Sequence, residues 1–97
     1  MIVTVVTHNA QVGDRRTTLD TSTRKARRQL QQIITRKLRE GATVFVECMG
    51  DTFKVRRYDP DEDKIVVWAK NARKGPKVFG IHAANTVITV VAPMAGG

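Results

Sequence analysis

The sequence predicts an α+β domain: one amphipathic helix packed on a strongly bent antiparallel sheet or small barrel, entered through an N-terminal strand or hairpin. Three observations carry this. Apolar residues recur at helical spacing between 22 and 40, they recur at period two from 43 onward, and turn signals break the second region every six to ten residues. The 97 residues, 41% of them hydrophobic, suit one domain with its own core, without repeats, low-complexity tracts or a dividing linker. A single domain is expected over 1–97: strand or hairpin to 20, helix 22–40, antiparallel meander or barrel 43–92.

The first element is an apolar, Val- and Thr-rich strand over 2–7. Residues 8–14, with Gly13-Asp14, read as a turn, and 15–20 as an exposed second strand closing a hairpin. Asp20, Thr21, Ser22 and Thr23 offer side-chain oxygens as N-caps for the helix. Ala26, Leu30, Ile33, Ile34 and Leu38 then fall on one stripe. Gly41 follows as the residue that leaves the helix, and Arg36, Lys37 and Arg39 crowd its last turns, where cations suit the helix dipole.

Beyond Gly41 the strand at 43–49 sets Val44, Val46 and Cys48 on one face. Gly50-Asp51 signals a turn. The strand at 53–58 places Phe53, Val55 and Arg57 on one side and Lys54, Arg56 and Tyr58 on the other. Asp59-Pro60-Asp61-Glu62-Asp63 is an acidic turn with proline at its second position. Ile65-Val66-Val67-Trp68 marks a buried central strand over 64–69. Residues 71–77 form a basic loop, strands follow at 78–81 and 87–92, and Pro93 with Gly96-Gly97 reads as a frayed end.

Charge is the strongest compositional signal. Seventeen Lys and Arg against nine Asp and Glu give +8 and a pI near 10.4. Such an excess attracts polyanions through counterion release. One cysteine cannot build a disulfide framework, and no apolar run reaches bilayer-spanning length, so a cytoplasmic protein without a membrane partner is expected.

Two basic clusters are the candidate sites. On the helix, Arg24, Lys25, Arg27, Arg28, Arg36, Lys37 and Arg39 face one acid, Glu40, with Gln31 and Gln32 as extra donors. In the loop, Lys70, Arg73, Lys74 and Lys77 gather without an acid, and Lys54, Arg56 and Tyr58 extend them along a strand. Of five aromatic residues, Tyr58 is the expected exposed ring, while Trp68 reads as core; with so few platforms for stacking, contacts to the nucleic-acid backbone are favoured.

Asp59, Asp61 and Asp63 open like a calcium loop, but Lys64 and Lys70 stand where glycine and an acid are required. His8 and His82 lack partners at metal-ligand spacing, and Cys48 reads as a small buried hydrophobe. No phosphate loop, nucleophile elbow or carboxylate pair is present, so neither a cofactor nor catalysis is expected.

The segment Val78-Phe79-Gly80-Ile81-His82-Ala83-Ala84-Asn85-Thr86-Val87-Ile88-Thr89-Val90-Val91-Ala92-Pro93 resembles the closing strand pair of Sm-like (Hfq-type) small β-barrels. Arg73-Lys74-Gly75 falls where that family carries a basic-Gly signature, and Val55 to Asp59 matches the end of its second strand. The likeness spans about 38–91. It implies a helix followed by five bent strands, RNA binding, a nucleotide contact at His82 and ring-forming oligomers. The chain departs from the pattern at Asp51 and Thr52, where the family bends at glycine, at Ile81 before His82, and in the extension before residue 20.

The leading expectation is a nucleic-acid-binding module, for RNA or DNA, that is weakly sequence-specific. One rival is a small regulatory or inhibitory module that engages an acidic protein; the other is a structural subunit of a homo-oligomer whose first strand adds to a neighbour's sheet edge. A β-grasp fold is the alternative architecture.

Overall fold

A computed structural model describes residues 1–8, 13–68 and 78–92. Its elements are β1 (Ile2–His8), β2 (Arg15–Asp20), α1 (Arg24–Arg39), β3 (Thr43–Cys48), β4 (Asp51–Asp59), β5 (Lys64–Trp68), β6 (Val78–Ile81) and β7 (Asn85–Val91). The class is α+β: one sheet in the order β2-β1-β7-β3-β4-β5-β6, with α1 across β2, β3 and β4. The basic loop lies outside the described residues, as do Ala69, Pro93 and the Gly96-Gly97 pair. No described helix is long and apolar enough to cross a membrane.

The sheet is mixed, which corrects the antiparallel expectation. β1 and β7 run parallel, from Ile2 opposite Asn85 to His8 opposite Val91, while all other pairings are antiparallel. Parallel neighbours need a long connection, and here nearly the whole chain intervenes. Residue alternation marks a strand but carries no sign of its direction. Because β1 has β2 on one edge and β7 on the other, it has no free edge to lend a neighbour; β2 and β6 end the sheet instead.

The helix, Arg24–Arg39, is shorter at both ends than the 22–40 expected. Thr23 is the cap, with extended backbone (φ −102°, ψ 144°) and its Oγ1 accepting from the Ala26 N–H at 3.2 Å. Ala26, Leu30 and Ile34 are buried, and Ile33 and Leu38 pack half-buried against the core. Full burial of side chains such as Leu30 and Ile34 contributes roughly 1.5–3 kcal/mol each. Gly41 leaves the helix at φ 85°, a conformation that costs glycine little.

The β3–β4 turn is Met49-Gly50, one residue before the Gly50-Asp51 signal. Both residues have positive φ (51° and 81°), and Cys48 opposes Asp51 across them. This mirror-image turn matches the twist of the hairpin, and it starts β4 at Asp51. Cys48, next to the turn, is half-buried rather than core. β7 likewise begins early, at Asn85.

The main departure lies in β4. Val55 opposes Val67, but Arg57 opposes Val66, so Arg56 is an extra residue in the ladder. Such a bulge inverts the in-out alternation beyond it. Tyr58 therefore follows Val55 into the core and is only 3% exposed. The expectation of an exposed Tyr58 assumed an unbroken period of two.

Candidate nucleic-acid interface

The Thr23 cap and the buried face of α1 fix which side chains point outward. Arg24, Lys25, Arg28, Gln31, Gln32, Thr35, Arg36 and Arg39 are exposed, and Arg27 is half-buried. Arg24, Arg27, Arg28 and Gln31 line a cleft of about 480 Å³ against Pro60 and Asp61 of the β4–β5 turn. Arg27 Nη1 donates to the Pro60 carbonyl at 3.3 Å, while its Nε is shielded from solvent without a partner. A second cleft of about 640 Å³ continues along the helix, lined by Gln31, Gln32, Thr35, Arg36, Arg39 and Glu40. Gln31 belongs to both, so the clefts form one track.

This track is electrostatically costly. The first turn of α1 has no acid, and Arg24 and Arg28 stand one turn apart with like charge. Cations near a helix N-terminus oppose its dipole, and like charges at this spacing repel. Among the described residues the only ion pair on the helix is Lys37 with Glu40 at 3.3 Å. Among the described residues no carboxylate bridges Arg24, Lys25, Arg27, Arg28, Arg36 or Arg39. An anion laid in the track would relieve this repulsion.

The other expected site residues do not all join the helix. Lys54 opposes Phe45, on the sheet face turned away from the core. Arg56 sits at the bulge, with its guanidinium 5.0 Å from the ring centroid of half-buried Trp68. Tyr58 points inward. Lys70, Arg73, Lys74 and Lys77 lie outside the described residues.

His82 is exposed, and its Nδ1 lies 2.8 Å from the Asp63 carbonyl and 3.7 Å from Asp63 Oδ2. His8 pairs with Asp14 at 2.8 Å at the mouth of the first hairpin. Both histidines thus meet carboxylates brought near by turns. Among the described residues no group of three or more His, Cys, Asp or Glu could hold a metal.

Sequence reasoning missed the cluster that anchors this side of the fold. Thr21 Oγ1 donates to Asp63 Oδ2 at 2.8 Å, and the Thr21 N–H donates to the Met1 carbonyl at 2.8 Å. Thr21 is almost fully buried, so it works as a tertiary contact and leaves the helix cap to Thr23. Asp63 turns inward because its own backbone is left-handed (φ 54°) at the end of the turn. One carboxylate among the four of an acidic turn gives no sequence signal of this.

No family model matches the chain, and neither the curated proteins nor the solved structures yield a match.

Proposed function

We propose that the protein binds nucleic acid, RNA or DNA, along the solvent face of α1, mainly through the phosphate backbone. The observation that carries this reading is the row Arg24, Arg27, Arg28, Arg36 and Arg39, which lines two joined clefts without a bridging carboxylate. From Arg24 to Arg39 the helix rises about 22 Å, the length of roughly six nucleotides of one strand. Aligned phosphates would replace mutual repulsion with charge-assisted hydrogen bonds. Among the described residues the clefts are lined by cations and carry no aromatic ring on which a base could stack, which fits backbone-dominated contacts and weak sequence preference.

The test is fluorescence anisotropy with single-stranded RNA, single-stranded DNA and duplex DNA at several salt concentrations. Replacing Arg24, Arg28 and Arg39 together with Ala should weaken binding at least about tenfold and lower the salt slope by about two to three. Equal affinity in the triple variant would overturn the helix as the site. Replacing Arg73, Lys74 and Lys77 with Ala asks the same of the loop.

The sheet order favours a second reading, a protein-interaction module. A hairpin, a helix across it and a last strand returning parallel to β1 follow the β-grasp order, with β5 and β6 as additions at the β4 edge. The Sm-like reading accounts for α1 and the five strands after it, and makes β1 and β2 the additions. On the β-grasp reading, drawn from analogy of fold alone, the basic surface speeds encounter with an acidic protein partner. The anisotropy titrations decide here too: absence of binding to all three nucleic acids would favour this reading.

A further inference from the structure

We propose that the free edge of β2, with the groove between β2 and α1, docks an extended acidic-apolar segment of a partner protein, which adds to the sheet as a further strand. Among the described residues β2 pairs only with β1, through an unbroken register from Ile2–Asp20 to Thr7–Arg15. It has neither proline nor bulge, and its charged residues, Arg15, Arg16 and Asp20, stand at its two ends, leaving Thr17, Thr18 and Leu19 as an uncharged middle. Its outer row of backbone donors and acceptors is a template for an incoming strand.

A groove runs beside this edge. Thr17 and Leu19 of β2 and Gln29, Gln32, Ile33 and Arg36 of α1 enclose about 220 Å³. Leu19 and Ile33, both half-buried, give it an apolar floor. Alternate side chains of an added strand would point to that side of the sheet, so every second residue of the segment should be apolar.

Charge selects the partner. The groove is lined by one cation, Arg36, and by no carboxylate. Arg15 lies on the same face of β2 as Thr17 and Leu19, and Arg16 is its exposed neighbour; no described carboxylate bridges any of the three. Arg36 lines the groove together with Thr17, the residue that follows Arg15 on that face of β2. Acidic residues flanking the apolar stretch would sit there. Arg36 and Gln32 also line the second cleft of the helix track, so the two sites meet there, whereas Arg24, Arg27 and Arg28 line only the cleft facing the β4–β5 turn and take no part in this groove.

Amide NMR with synthetic peptides tests the proposal. The probe is four alternating Val and Ile residues followed by four Glu; a second peptide carries Lys in place of Glu. The acidic peptide should shift amides at 15–20 and 29–36 and slow hydrogen exchange in β2, and the basic one should bind at least tenfold more weakly. N-methylation of alternate peptide amides, in the odd or the even set, should abolish binding in one set only. The Arg36→Glu variant should lose the acidic peptide, while the Arg24, Arg28 and Arg39 triple Ala variant should keep it. Equal binding of both N-methylated sets, or shifts confined to other strands, would overturn the proposal.

Discussion

The Tyr58 hydroxyl donates to Oδ1 of Asp63 at 2.5 Å, and the Thr21 hydroxyl donates to Oδ2 at 2.8 Å. One carboxylate thus joins β4, the β4–β5 turn and the segment before α1. Burial works against its charge, but the Tyr58 and Thr21 hydroxyls, the Met1 amino group and His82 together hold it below the usual carboxylate range. Burial, reinforced by Asp63, pushes the Tyr58 phenol well above its ordinary value.

Tyr58→Phe removes a hydrogen bond to a charged acceptor while keeping the ring in the core. A loss of about 1.5–3 kcal/mol is expected. Urea denaturation checks it: the midpoint should fall while the m-value stays constant. An unchanged midpoint would mean that the short contact contributes nothing.

Stability should decline at both ends of the pH scale. The lowered Asp63 carboxyl stabilises the fold above its unfolded value of 3.8, and this is lost as pH falls through the lower folded value. The raised Tyr58 phenol contributes fully below its unfolded value of 10.0, and that contribution is lost as pH rises toward the folded value. Urea midpoints measured across pH check both arms. Tyr58→Phe should remove the alkaline arm, and Asp63→Asn should flatten the acid arm.

Met49→Asn should raise stability by about 0.5–1 kcal/mol. Met49 is 98% exposed and holds φ 51°, a left-handed conformation that costs most side chains about 1–2 kcal/mol and asparagine less. Gly50→Ala should lower stability although the space around Gly50 is open, because its φ is 81°. Thermal unfolding of the two variants gives opposite shifts if turn conformation controls this hairpin.

Lys25→Glu should separate stability from binding. It places an acid in the first turn of α1, worth about 0.3–1 kcal/mol through the helix dipole. The same change should weaken oligonucleotide binding. A higher melting temperature with unchanged affinity would count against the helix as the interface.

The basic face of α1 is legible in the residue order alone. A helix has one period, so once Ala26, Leu30 and Ile34 define the buried stripe, the outward arginines follow. The phase of β4 is not legible in this way. Up to Val55 the alternation holds, but one inserted residue at Arg56 reverses it, and side-chain pattern alone cannot distinguish a bulge from a regular strand. Thr21 is equally hidden, since its role depends on Asp63 reaching it from forty-two residues away.

The sequence by itself determined the α+β class, the helix and its exposed cations, and the succession of strands to within a residue or two, because these depend on near neighbours along the chain. Tertiary structure decided that β1 and β7 lie parallel within the sheet, that β2 is left as an edge beside a groove, and that Tyr58 turns inward to Asp63. Those outcomes depend on which distant surfaces bury one another, and a local pattern carries no record of the partner it will meet.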